Sequence, residues 1–189
     1  MPEFFEVKPP DEARALWWAH VTHQTGVERV SAYEALGRVT AEALHSPEAL
    51  PAFRRATVDG FAVRAADTFG ASDSLPSYLS VAGEVLMGQE ARDPVSAAGA
   101  VLIHTGGMLP PGADAVVMVE HTQRFDERTI EVLRPVAPGE NVLEVGEDVA
   151  QGALILPAGH TVQPQDVGAL LALGMAAALP VRKRPLVSL

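Results

Sequence analysis

The 189-residue sequence predicts an α+β fold that is mostly β. Apolar runs of four to seven residues recur through positions 46–142, and glycine or proline turns close them. That spacing belongs to a sandwich or barrel. Helical periodicity is confined to the two ends, residues 11–24 and 161–173. Composition agrees. The 16 glycines and 15 prolines make up about a sixth of the chain, against roughly 12% in average usage. So many turns leave no room for a helical bundle.

Residues 11–24 read as a first helix, with Asp11 as its cap and Gly26 as its stop. Trp17 and Trp18 are adjacent and cannot share one face, so one of them is expected to meet a surface outside this helix. Ser31 and Glu34 have the spacing of a capping box, with a short helix following to Gly37. Arg38–Leu44 reads as a strand closed by Ser46 and Pro47. Five β runs follow, at Phe61–Arg64, Tyr78–Ala82, Ala100–Thr105, Ala115–His121 and Thr129–Leu133. Pro110, Pro111 and Gly112 form a turn in which proline fixes φ and glycine supplies a positive one. Ala153–Leu156 reads as a strand. A helix then spans Thr161–Leu173, with Pro164 in its first turn and Gly174 beyond its end. Arg182, Lys183 and Arg184 read as a solvated linker. The apolar Leu186–Leu189 reads as the start of a strand whose neighbours, and a further domain, would follow.

With 14 basic and 24 acidic residues the chain carries a net charge of −10. A general nucleic-acid binder needs a basic face, so that class is excluded. The absence of cysteine removes disulfide scaffolds, thiolate metal sites and thiol nucleophiles. No secretory leader is visible. The longest apolar stretch, Val167–Val181, is interrupted by Gly168, Gly174 and Pro180 and is shorter than a membrane span. The expectation is a soluble, cytoplasmic protein without membrane partners.

No Walker loop, GxGxxG, HExxH or GxSxG motif is present. The candidate chemistry sits in glycine-rich turns. Asp59-Gly60 follows Arg54-Arg55, and these arginines can bind an anion or lower the aspartate pKa. An Asp-Gly hairpin turn is the plain alternative. Thr105-Gly106-Gly107 follows a β run, where consecutive glycines can form an anion-binding nest or a flexible turn. Glu147 and Asp148 can serve a divalent cation or a solvated turn. Glu120 is equally ambiguous. His104, His121 and His160 lack metal-ligand spacing.

Read in order, six stretches resemble the N-terminal part of the MoeA family of molybdopterin molybdenumtransferases, which is similar to the E domain of gephyrin. They are EALGRVTAEALHSPEALPAF (34–53), TVDGFAVRAAD (57–67), GEVLMGQ (83–89), HTGGMLPPGADAVVMVE (104–120), PGENVLEVGEDV (138–149) and GALILPAGHTVQPQDVGALLALGM (152–175). The resemblance implies a β-rich second domain, residues 46–142, inserted into a small discontinuous first domain, residues 27–45 and 143–178. It implies that the helix within 1–26 packs on a third domain, and that 179–189 leads into it.

The implied activity is molybdenum insertion from molybdate into adenylylated molybdopterin with release of AMP. It is magnesium-dependent and carried out by homodimers, with the molybdopterin adenylyltransferase a further partner. These 189 residues alone are expected to be inactive. The competing reading is a non-catalytic dimerisation or scaffold module. The resemblance points to Asp59 and Thr105 as the catalytic pair. Asp59 would position the pterin substrate or a metal, while Thr105 with the amides of Gly106 and Gly107, next to Gly60, would hydrogen-bond the ligand. Three positions depart from the family pattern. Ala56 stands where serine is common, Gly107 where alanine is usual, and Leu143-Glu144-Val145 where basic residues are frequent. The last departure suggests a variant oxyanion such as tungstate.

Overall fold

The computed structural model describes residues 7–21 and 24–186. In chain order the first elements are α1 (Pro10–His20), β1 (Val27–Val30), β2 (Leu44–His45), β3 (Arg55–Ala56), β4 (Gly60–Val63), β5 (Ser77–Val85) and β6 (Gly99–Ile103). They are followed by β7 (Ala115–Met118), β8 (Thr122–Arg124), β9 (Thr129–Val132), β10 (Val142–Leu143), β11 (Leu154–Leu156), α2 (Pro164–Ala172) and β12 (Leu179–Arg182). The protein is mostly β, as expected. Its chain divides into two compact units, one of residues 1–44 with 156–189 and one of residues 45–155.

The second unit is built on a curled six-stranded sheet, order β7-β4-β6-β5-β9-β8. All its pairings are antiparallel except β5 with β6. Strands β4, β6 and β7 bury both faces. Ala62, Val101, Ile103 and Val116 point into one apolar cluster. Val63, Ala100, Ala115 and Val117 point into another. Strands covered on both sides cannot alternate apolar with polar, and this is why AVLI and AVVM read as unbroken apolar runs. The run Ala115–His121 is strand only to Met118, and Val119–His121 turn as a 3-10 helix.

In the first unit β1 pairs with β12 antiparallel, Val27 opposite Arg182 and Val30 opposite Leu179. Of the Arg182–Arg184 stretch expected to be a linker, Arg182 is therefore the last residue of a sheet strand. Its Val181 is fully buried, which the three adjacent cationic residues conceal in the sequence. Arg38 forms an ion pair with Glu28 and donates to the Arg182 carbonyl. α2 is capped by Gln163 and Asp166 acting reciprocally, with Pro164 at its first position, and it buries Leu170.

Three local expectations need correction. α1 begins at Pro10 rather than after an Asp11 cap, and Asp11 pairs with Arg14 instead. Its last residue is His20, not position 24, and none of its residues is buried. The Ser31–Glu34 box is present in its hydrogen bonds, but residues 32–37 form turns and not a helix. Arg38–Leu44 is not a continuous strand. Only Val39 and Thr40 make single bridges, to Thr161 and Val181, before β2 begins. The final residues of the run Leu186–Leu189 lie outside the described residues. No helix among the described residues is long and apolar enough to cross a membrane.

Candidate functional site

Sheet register brings the two halves of the site together. β4 and β6 pair antiparallel with Gly60 opposite Ile103. One step further along each strand lie Asp59 and His104, and then Thr105. Oδ1 of Asp59 accepts two hydrogen bonds there, from the Thr105 amide at 2.7 Å and from the Thr105 hydroxyl at 3.0 Å. Both side chains are exposed. These two bonds hold the Asp59 carboxyl below the usual aspartate range, the Thr105 amide contributing most, with His104 helping through its charge.

The shift fixes a sign. The charged carboxylate is the hydrogen-bonded form, so its folded pKa lies below the unfolded value. The stabilisation is present above the unfolded pKa and is lost as pH falls through the folded one. In an NMR titration the Thr105 amide resonance should hold its neutral-pH position through the ordinary aspartate value of about 3.9 and move only below it. A transition centred at or above that value would refute the Asp59–Thr105 bond.

The glycines of the loop are not ligand donors. The Gly106 amide donates to the Ala56 carbonyl at 2.8 Å, and the Gly107 amide donates to the His104 carbonyl at 2.8 Å. Thr105 has likewise given its amide and its hydroxyl proton to Asp59. An anion nest requires free N–H groups, and here all three amides are engaged within the protein. The glycines answer backbone needs instead. Gly106 has φ +84°, and a Cβ on Gly107 would lie 2.9 Å from the His104 carbonyl oxygen. Gly60 has a similar cause. A Cβ there would sit 1.9 Å from the Val117 carbonyl oxygen of β7.

The arginines before Asp59 face other carboxylates. Arg54 pairs with Glu144 at 2.9 Å and Arg55 with Asp148 at 3.6 Å. So they are not what lowers the Asp59 pKa. The first pair also rationalises the acidic residue in the 143–145 loop, because Glu144 is answered by a cation of its own unit. Glu147 accepts the Glu144 amide at 2.9 Å and closes that turn. Glu147 and Asp148 are thus engaged in local contacts. No group of three or more His, Asp or Glu able to hold a metal occurs among the described residues. Each of the three histidines has a side-chain partner, His104 with Glu84 at 2.7 Å, His121 with Arg134 at 3.3 Å and His160 with Asp166 at 2.6 Å. Glu120 is exposed at the 3-10 turn after β7.

Sequence reasoning missed Glu84, which holds His104 beside the site. It also missed Asn141, at φ +59°, which donates to the Val116 carbonyl at 2.8 Å. No local signal marks Glu84. Asn141 stands in Pro-Gly-Glu-Asn, and asparagine is among the residues that tolerate positive φ.

The available groups make the site an acceptor surface. Asp59 keeps Oδ2, and the Thr105 oxygen keeps its lone pairs. Such a surface suits N–H groups of a ligand or a cation, and it repels phosphate. Taken together, a curled six-stranded sheet and an exposed Asp–Thr pair at the ends of two of its paired strands define a mostly β protein with an acceptor site. Residues 8–174 match the model described as the MoeA N-terminal region, domains I and II, and the chain belongs to the MoeA family.

Similar proteins agree. The molybdopterin molybdenumtransferase of Bacillus subtilis is 38% identical over 173 residues, which is 90% of this chain and 40% of that protein. Gephyrin of Dictyostelium discoideum is 31% identical over 157 residues, 79% of this chain and 22% of that protein. The crystal structure of the MoeA protein of molybdopterin biosynthesis from Pyrococcus horikoshii OT3 superposes with a TM-score of 0.89 at 41% identity, covering 95% of this chain and 47% of that one. The chain spans about two fifths of the length of the curated transferase it matches.

Proposed function

We propose that this chain works in molybdenum cofactor biosynthesis, as part of a molybdopterin molybdenumtransferase that inserts molybdate-derived molybdenum into adenylylated molybdopterin and releases AMP. Family membership together with the Asp59–Thr105 pair carries this reading. The two units are proposed to be the discontinuous first domain and the inserted second domain. The names of the relatives favour a transferase over a scaffold.

In this reading Thr105 orients Asp59. With Oδ1 fixed by two bonds, the carboxylate plane cannot turn, and Oδ2 presents one acceptor to the substrate. A group held in this way lowers the entropic part of a barrier. The phosphate end of the substrate is taken up away from this surface, because Asp59 and Thr105 present acceptors to it. Magnesium binds through one or two carboxylates plus substrate phosphates and water. Asp59 Oδ2 alone is no resident site for it, and we assign no step to the metal. Homodimer formation, contact with the adenylyltransferase, a cytoplasmic location and the choice between molybdate and tungstate belong to the same proposal.

The test is an insertion assay on the protein that contains this chain, supplied with adenylylated molybdopterin and molybdate. AMP should appear in step with molybdenum cofactor. Cofactor-independent AMP release, or none at all, would end the reading.

A further inference from the structure

A crevice of about 280 Å³ opens beside the Thr105 loop, lined by Phe53, the 88–90 turn, Gly106, Gly107 and Met108. Three features set its chemistry. Its walls are flat and soft. Phe53 is 40% exposed, so its ring is open to a ligand. Met108 adds a half-buried thioether to the lining. Thioethers and aromatic rings both favour flat, polarizable partners. Its floor is bare backbone, because Gly106 and Gly107 carry no side chains. Its rim carries Glu90, an exposed carboxylate with no hydrogen-bond or ion-pair partner among the described residues.

The volume falls just short of a drug-sized pocket, roughly 300–1,000 Å³. It is therefore suited to one ring system and not to a whole nucleotide conjugate. The rim decides which ring. A carboxylate has two acceptor oxygens and no donor. The aminopyrimidinone edge of a pterin offers two adjacent N–H donors, its exocyclic amine and ring N3–H. The Watson–Crick edge of adenine offers one donor beside one acceptor, so its N1 lone pair would face a carboxylate oxygen. Asp59 and Thr105, acceptors themselves, extend the same preference along the loop.

We propose that this crevice is the pterin subsite, with Glu90 accepting the two N–H groups of the aminopyrimidinone edge and Phe53 stacking on the ring. This rests on the transferase reading for the identity of the substrate. The ring then lies against Gly107 beside the Thr105 loop, and the phosphate end of the molecule leads away from Asp59 and Thr105.

The test titrates the protein with neopterin, followed by quenching of its fluorescence, and with AMP as competitor. Wild type should quench. Glu90→Gln, which puts a donor opposite a donor, should weaken neopterin at least tenfold with an unchanged melting temperature. Phe53→Leu should weaken it while keeping an apolar wall. AMP should not displace neopterin. Absence of quenching by wild type, equal affinity in Glu90→Gln, or displacement by AMP overturns the subsite. The AMP-release assay separates this from the parent reading. A protein that binds neopterin through Glu90 but inserts no molybdenum keeps the subsite and loses the transferase. An active protein whose pterin affinity ignores Glu90 does the reverse.

Discussion

Gly60→Ala should destabilise the protein by about 3 kcal/mol or more, as an overpacked core position does. The reason is the approach of two backbones. A methyl group at this position would lie 1.9 Å from the Val117 carbonyl oxygen. No rotamer change relieves that contact, because the obstacle is main chain. β7 would have to leave β4, and with it the ladder that pairs Gly60 with Met118 and Val63 with Ala115. Val117 and Ala115 are fully buried, so the displacement would open the apolar cluster on that face. Urea unfolding monitored by circular dichroism measures the loss. A midpoint equal to wild type would show that β4 and β7 do not approach as closely as described. Gly60 thus stands in the site's neighbourhood for packing, and a loss of activity in its variants would say nothing about ligand contacts.

Asp59→Asn should have the opposite profile, with folding spared and chemistry lost. The substituted amide can still accept both Thr105 bonds through its carbonyl oxygen. Its second atom, however, becomes an N–H₂ donor where the carboxylate offered an acceptor. If Oδ2 positions the substrate, kcat/KM for molybdenum insertion should fall about 100-fold, the scale of a misplaced reactant. The melting temperature should fall only slightly, because the amide keeps both Thr105 bonds and loses only their charge. Activity within twofold of wild type would remove Asp59 from the machinery. Unchanged activity together with a markedly lower melting temperature would make the pair a structural turn.

How far can the residues alone be read? The β runs at Phe61, Ala100 and Ala115 are legible as unbroken apolar stretches and those at Tyr78 and Thr129 by alternation, with turns bounding each run. The ends of the chain are less legible. β12 holds Val181 at 0% exposure next to a run of cations, and charge masks the strand. The Arg38–Leu44 segment has β-type residues, but it finds only single-residue bridges. Propensity cannot see the partner a strand lacks. In the site, the residues mark Asp59 and Thr105 but not their relation. The distance of 46 positions between them is closed by the β4–β6 register, which no local pattern encodes. Nor can the sequence reveal that the Gly106 and Gly107 amides are already bonded, so the loop looks like an anion nest. The arginines at 54 and 55 mislead in the same manner, because their partners Glu144 and Asp148 lie some 90 positions away.

The β1–β12 ribbon ties Val27–Val30 to Leu179–Arg182. Its two strands leave the ribosome about 150 residues apart. Residues 45–155 have all emerged before the second strand of that ribbon exists, so the curled sheet can condense co-translationally while the N-terminal segment waits as an open chain. Closing so long a loop is entropically unfavourable for a free coil. A sheet already folded between the waiting segment and the incoming one removes most of that loop's freedom in advance. The order of birth along the polypeptide therefore sets the order of assembly, and β1, made before the curled sheet, finds its partner after it.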